Sequence, residues 1–310
     1  MDSTSMKCGL IALVGAPNAG KSTLMNALVK EKVGIISPKP NTTRLTVRAV
    51  LTRDETQLVF MDTPGLSDKA DGLNRLLVQQ ARGAMAEADV VCFLVDAAKK
   101  RLPDLAQMVQ GVKGRKVLIF TKVDLVKDKK LLLPMLAAAG EVGFDAVIPL
   151  TVRKQNTLDD LLKILFKMVP AGPWLFPDSG MVTDAPLPLR LAELTREQAM
   201  RKLHEEVPYG VAVMPVSIEE TVEKVEAEDD FEDDSERPGP LLVRQTILLA
   251  REAHKPIVLG RKGAMLGDIG KAARLEMQKM LGRGVRLELH VEVDPHWAER
   301  NNVLQALGVI

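Results

Sequence analysis

Along the first half of the chain, short runs of apolar residues alternate with stretches whose apolar positions recur every three or four residues. The apolar runs cover 10–14, 45–51, 57–61, 90–96, 117–120 and 146–150. Solid runs of this length predict strands buried on both faces of a sheet. Helical spacing covers 22–29, 74–85, 104–111, a segment through 131–133, and 158–169. Strands alternating with helices predict an α/β domain with a mostly parallel sheet and helices on both faces. In such a domain the ligand loops gather at the C-terminal ends of the strands.

The pattern breaks after residue 170. Pro170, Pro173, Pro177, Pro186 and Pro188 crowd one stretch, with Gly172 and Gly180 among them. Proline removes backbone donors and ends the preceding helix, so 171–188 reads as a linker of limited flexibility. It divides a first domain at 1–170 from a second at 189–310. In the second, a helix at 191–203 precedes strands at 211–218 and 241–249, with the acid-dense stretch 219–236 between the strands. That stretch is expected to be a solvated, mobile loop. The apolar segment 256–259 then leads through a turn into a helix ending near 281, and a strand at 285–293 and a helix at 297–307 follow. The order helix–strand–strand–helix–helix–strand predicts an α+β domain.

Chemistry concentrates where strands end. Gly15-Ala16-Pro17-Asn18-Ala19-Gly20-Lys21-Ser22 lies between the first strand and the first helix. In that context G-x-x-x-x-G-K-S is a phosphate cradle, closed by backbone N–H groups and the helix N-terminus. Lys21 should reach the terminal phosphates, and the Ser22 hydroxyl should ligate Mg²⁺. Asp62-Thr63-Pro64-Gly65 follows the third strand; the acid can hold Mg²⁺ through water while the Gly65 N–H senses the γ-phosphate. Thr121-Lys122-Val123-Asp124 follows another. A carboxylate at Asp124 can accept from the N1–H and 2-amino group of guanine, a donor pair that adenine lacks. An acceptor left unpaired costs about 1–3 kcal/mol, enough to select guanine. Lys122 would lay its stem along the base, and the Val152 N–H in Thr151-Val152 could meet the guanine carbonyl.

Composition adds exclusions. The 310 residues suffice for two domains with a substantial core. No apolar run approaches the roughly 18–20 residues that span a bilayer, and the first residues lack a signal-peptide core. Cys8 and Cys92 are too few for a disulfide framework, so a reducing cytoplasm is expected. A net charge of +1 does not by itself predict nucleic-acid binding; the distribution of charge must carry that claim. His204, His254, His290 and His296 lack metal-ligand grouping.

The four loops resemble the small-GTPase signature, and their wording resembles the Era family of ribosome-associated GTPases over 9–308. Ser37-Pro38-Lys39-Pro40-Asn41-Thr42-Thr43-Arg44 is similar to that family's switch I, where a threonine joins Mg²⁺ when GTP is bound. Thr43 is favoured, and Thr42 remains the alternative. The resemblance thus implies a P-loop GTPase domain binding GTP or GDP with Mg²⁺. Its nucleotide contacts are Gly15, Asn18 to Thr23, Asp62 to Gly65, Thr121, Lys122, Asp124, Thr151 and Val152. Ser22, Thr43 and Asp62 serve the metal, and Lys21, Thr43 and Gly65 carry the catalysis. Three features depart from common patterns. Thr121 stands where the family has asparagine, which predicts a weaker tie to the P-loop. Thr151-Val152 replaces Ser-Ala. Leu66 occupies the place of the water-orienting glutamine of Ras-like enzymes, a replacement the Era family shares, so slow intrinsic turnover is expected.

Gly260-Arg261-Lys262-Gly263 is similar to the GXXG loop of a type II KH domain, which clamps a nucleic-acid backbone. Ile257, Val258 and Ile269 are expected to line the groove and pack on splayed bases. Arg251, His254, Lys255, Lys271 and Arg274 are expected to add phosphate contacts. The resemblance implies a monomer that binds the 3′ end of small-subunit ribosomal RNA and acts in 30S subunit biogenesis. It also implies peripheral contact with the inner face of the cell membrane, although the sequence offers no lipid motif. Alternatives are a GTP-binding RNA adaptor with negligible hydrolysis, and a GTPase of another ribosome-assembly or tRNA-modification branch.

Overall fold

The computed structural model describes residues 6–65, 72–99, 102–224 and 236–309, and divides into two units, Met1–Ala185 and Pro186–Ile310.

The first unit runs β1 (Lys7–Gly15), α1 (Lys21–Val29), β2 (Val47–Arg53), β3 (Thr56–Asp62), α2 (Gly72–Glu87), β4 (Val90–Asp96), α3 (Leu105–Val109), β5 (Arg115–Thr121), α4 (Leu132–Gly140), β6 (Ala146–Pro149) and α5 (Gln155–Met168). Its six-stranded sheet has the order β2-β3-β1-β4-β5-β6. Only β2 is antiparallel to its neighbour, because the tight turn at Asp54 (φ 52°) joins it directly to β3. β4 is buried at every position, as its unbroken apolar run requires. Leu24 and Leu28 of α1 and Leu158, Leu161, Leu162 and Leu165 of α5 cover one face. Ala84, Leu105, Met135 and Ala139, from α2, α3 and α4, pack on the other.

The stretch read as a linker lies mostly against this first unit. Ala171 bridges Lys7, and the Gly172 N–H donates to Met6 O at 3.0 Å. Gln57, with no exposed surface, grips the segment with its amide: Nε2 donates to Phe176 O at 2.8 Å, and Oε1 accepts from Phe176 N at 2.9 Å. Further on, Val50 N donates to Val182 O at 2.8 Å, Thr183 Oγ1 donates to Arg48 O at 2.6 Å, and Arg48 pairs with Asp184 at 3.3 Å. Residues 171–185 are therefore a strap along β2, the edge strand, rather than a free tether. Proline supplied the extended backbone that such a strap needs.

The second unit begins at α6 (Leu187–Lys202), with Pro188 in its first turn, where a missing N–H costs nothing. It continues through β7 (Val211–Glu219), a hairpin of β8 (Val222–Lys224) and β9 (Glu236–Pro238), β10 (Leu241–Leu249), α7 (Lys255–Leu259), α8 (Ala264–Leu281), β11 (Val285–Val293) and α9 (Asn301–Ala306). The main sheet has the order β11-β10-β7, with β11 parallel and β7 antiparallel to β10. The mobile loop expected at 219–236 is ordered at its ends, where Val222–Lys224 and Glu236–Pro238 pair as the β8–β9 hairpin; residues 225–235 lie outside the described residues. Across the buried face Thr195 Oγ1 donates to Gln245 Oε1 at 2.6 Å.

Candidate nucleotide site and nucleic-acid interface

The P-loop leaves β1 and enters α1 through two left-handed residues, Asn18 (φ 62°) and Gly20 (φ 96°). Lys21 is 6% exposed, and its Nζ donates back to the loop carbonyls of Gly15 and Ala16 at 3.1 and 3.2 Å. Burial pulls its ammonium below the usual lysine range, and the carboxylate of Asp62 opposes that shift. The loop borders a cleft of about 330 Å³ lined by Lys21, Ser22, Thr23, Thr43, Gly65 and Lys122 among others.

Three oxygens meet at the floor. Ser22 Oγ donates to Asp62 Oδ2 at 2.5 Å, lies 3.1 Å from Thr43 Oγ1, and Thr43 Oγ1 donates to the same carboxylate oxygen at 3.3 Å. Thr42 points elsewhere, its hydroxyl donating to Lys39 O at 2.8 Å. Burial raises the Asp62 carboxyl above its ordinary range, against the lowering effects of Lys21, Ser22 and Thr43. Its second oxygen, Oδ1, is buried without a hydrogen-bond partner. A carboxylate with one orphaned oxygen beside two hydroxyls is a hard-oxygen donor set that fits Mg²⁺.

Thr63 Oγ1 donates to Leu13 O at 2.7 Å and fixes the start of the next turn, where Pro64 is buried. Gly65 sits so close to the P-loop that a Cβ there would come 2.9 Å from Pro17 N. The segment leading into switch I is held by Asn26, a residue the sequence did not flag: its Oδ1 accepts from Val33 N and Gly34 N, and its Nδ2 donates to Gly34 O. Leu66 lies outside the described residues.

A second pocket adjoins the cleft and encloses about 180 Å³ between Thr121, Lys122, Asp124, Thr151 and Val152, the residues expected to hold a base. Thr121 does not leave the P-loop untied: its hydroxyl donates to Ala19 O at 2.8 Å. Lys122, at φ 57°, donates to Asn18 O at 2.7 Å and to Asp96 at 2.8 Å. Asp96 closes β4, a strand-end acid whose role only the fold reveals. Asp124 is held below the usual carboxylate range, chiefly by the Thr151 hydroxyl, with Arg153 and Lys129 adding attraction. Arg153, also missed in the sequence, pairs with Asp124 at 3.5 Å and lines the pocket.

In the second unit, Gly260 (φ 70°), Lys262 (φ 53°) and Gly263 (φ 80°) turn the chain between α7 and α8, leaving Arg261 and Lys262 exposed. At Gly260 a Cβ would lie 2.7 Å from that of Met265, so glycine is required there. Val258 and Ile269, expected to line a groove, are instead core residues with no exposure, packed among Val213, Ile247 and Val291. Both sit on the inward faces of their helices, and of the three only Ile257, 49% exposed, is free to meet a base. His254 is also buried, at 5% exposure, which removes it from the phosphate-contacting set; Arg251 and Lys271 are exposed.

Comparison with known proteins bears on both units. Residues 10–122 match the family described as 50S ribosome-binding GTPase, and 206–298 match the KH domain. The GTPase Era of Desulfovibrio desulfuricans is 37% identical, covering 98% of this chain and 97% of its own. That of Aquifex aeolicus is 37% identical over 98% and 99%. A crystal structure of an Aquifex aeolicus Era variant bound to GDP and AlF4⁻ superposes with a TM-score of 0.87 at 36% identity, covering 98% of this chain and 99% of that one. One of Era with MgGDPNP and nucleotides 1506–1542 of 16S ribosomal RNA gives 0.86, with the same identity and coverage. With a P-loop, a threonine–acid oxygen cluster and a base pocket in one unit, a Gly-Arg-Lys-Gly turn in the other, and relatives that match from end to end, the chain belongs to the Era family of GTPases.

Proposed function

We propose that this GTPase is a nucleotide-dependent factor of small-ribosomal-subunit assembly that binds the 3′ end of small-subunit rRNA through its KH domain. The observation that carries the reading is the pairing, in one chain, of a complete nucleotide cleft with an exposed Arg261–Lys262 turn. A solved Era structure holds MgGDPNP and nucleotides 1506–1542 of 16S ribosomal RNA. The P-loop N–H groups and Lys21 hold the phosphates, Asp124 reads guanine, and the Val152 N–H faces the base carbonyl. Ser22, Thr43 and Asp62 would hold Mg²⁺, which when bound neutralises charge between the β- and γ-phosphates. Thr43 is preferred over Thr42 because its hydroxyl already lies with Ser22 and Asp62. Gly65, packed on Pro17, would offer its N–H to the γ-phosphate. Arg261 and Lys262 would contact the RNA backbone, with Ile257 beside a base. Cytoplasmic work accords with Cys8 and Cys92 as free thiols. Among the described residues no helix is long and apolar enough to cross a membrane.

The test is single-turnover hydrolysis of GTP and ATP, with and without an RNA matching the 3′ end of small-subunit rRNA. Hydrolysis of GTP alone, stimulated by the RNA and unstimulated after Arg261→Ala/Lys262→Ala, supports the reading. GTP binding without turnover would favour an adaptor, and equal use of ATP would overturn the role given to Asp124.

A further inference from the structure

On the side of the first unit's sheet that carries α2, α3 and α4 the strands are buried, but the covering helices do not close against one another. Helical spacing suggested eight residues for the helix between β4 and β5, but α3 has only five and ends at Val109. Between α2 and the segment leading into β5 this leaves a groove of about 760 Å³, sharing no lining residue with the nucleotide cleft or the base pocket. Its floor is apolar and half-buried: Val78 and Met85 from α2, Met108 from α3, and Val112 beyond it. Its rim carries two exposed cations, Arg82 and Lys113. No carboxylate lines the groove, and neither cation has an ion-pair partner among the described residues.

We propose that this groove docks an acidic, amphipathic helix of a partner protein. The volume falls within the roughly 300–1,000 Å³ of ordinary ligand sites, enough to take apolar side chains from successive turns of one helix. Two methionines give the floor a soft surface that reshapes around different side chains, as helix-binding grooves do. Two exposed cations on the rim, without ion-pair partners among the described residues, complement carboxylates flanking an apolar stripe and repel a basic helix. A nucleic acid is the poorer fit, because no aromatic ring lines the floor to stack a base and two cations make a short phosphate track.

The probe is a fluorescein-labelled helix-forming peptide of about 18 residues, long enough to hold a helix on docking, with leucines at i, i+3, i+4 and i+7 and flanking glutamates. A companion peptide carries lysine for every glutamate. The full chain is titrated by fluorescence anisotropy, and its methionine methyl groups are followed by NMR, with assignments from Met85→Leu and Met108→Leu. Saturable binding of the acidic peptide, with shifts at Met85 and Met108 and at least about a tenfold loss of affinity in Arg82→Glu/Lys113→Glu, supports the proposal. Both side chains are exposed and lie outside the nucleotide cleft, so that variant should keep its fold and its GTP affinity. Absence of saturable binding, equal binding of the lysine peptide, or binding indifferent to the charge reversal would overturn it. A short single-stranded RNA that shifts the same methyl groups and is lost in the same variant would also overturn it, in favour of a nucleic-acid surface.

Discussion

The hydroxyl of Thr121 donates to the carbonyl of Ala19 at 2.8 Å, tying the base-recognition loop to the P-loop across 102 residues of sequence. The sequence predicted a weaker tie here, because threonine offers one hydroxyl where asparagine offers an amide. The single hydroxyl does reach that carbonyl, from a side chain buried at 4% exposure. Thr121→Val keeps the shape and removes the donor. Leaving that carbonyl unpaired costs about 1–3 kcal/mol, so guanine-nucleotide affinity should fall by about tenfold, while Thr121→Ser should retain it. Titration with a fluorescent GDP analogue measures both, and unchanged affinity in the valine variant would mean the tie carries nothing.

Arg153 sits beside Asp124, the carboxylate proposed to read guanine, but its side chain is 77% exposed. An exposed pair is worth about 0–1 kcal/mol and is screened by salt. Arg153→Ala should therefore weaken GTP binding less than about fivefold at low salt, and the difference should vanish at high salt. Asp124→Ala should instead erase the preference for GTP over ATP.

Cys92 is fully buried in β4, and burial pushes its thiol up to about 12. The unfolded thiol ionises near pH 8.5, so above that pH the unfolded state sheds a proton that the folded state keeps. Stability should then fall as pH rises, with a slope approaching 1.4 kcal/mol per unit, or about one proton, from this group. Urea unfolding between pH 8 and pH 10 should show the decline, and Cys92→Ala should flatten it while lowering stability at every pH. Thiol titration at pH 8 should find Cys92 unreactive until the protein unfolds.

Gly260 and Gly263 frame one turn but differ in tolerance. Both have positive φ; a Cβ meets Met265 at the first and open space at the second. Gly260→Ala must displace the start of α8 and should lose most RNA binding. Gly263→Ala meets only left-handed backbone strain of about 1–2 kcal/mol and should bind RNA within a few-fold of the parent. Filter binding of the rRNA 3′ end compares them, with basal GTP hydrolysis unchanged in both.

Gln57 joins β3 to the strap through both ends of one amide. Gln57→Leu would strand the N–H and the carbonyl of Phe176, at about 1–3 kcal/mol each. Urea unfolding should report a loss of that order, and limited proteolysis should cut within 171–185 faster than in the parent. An unaltered cleavage rate would mean the strap is held without it.

The P-loop and the loops after β3, β5 and β6 were legible because each follows a short apolar strand, and these strands are parallel, so their C-terminal ends share one rim. What the sequence hid was anything decided by distant partners. Asp96 matters because Lys122 reaches it across 26 residues, and Gln57 because Phe176 lies 119 residues away. Val258 and Ile269 show a different gap: a motif says that a groove residue exists nearby, but a helix has several faces. Burial of both side chains assigns them to the core. Prolines at 170–188 truly announced the end of a helix; they could not say that the extended chain would lie along a sheet.

That placement changes where the GTPase unit can be cut. An edge strand offers unpaired N–H and C=O groups to any passing strand, and proteins commonly hide such edges to stay monomeric. Here Val182 and Thr183 occupy the Val50 N–H and the Arg48 carbonyl on β2. A fragment ending at residue 170, where the last helix stops, would leave both open for self-association. One ending at Ala185 carries its own guard and should remain soluble.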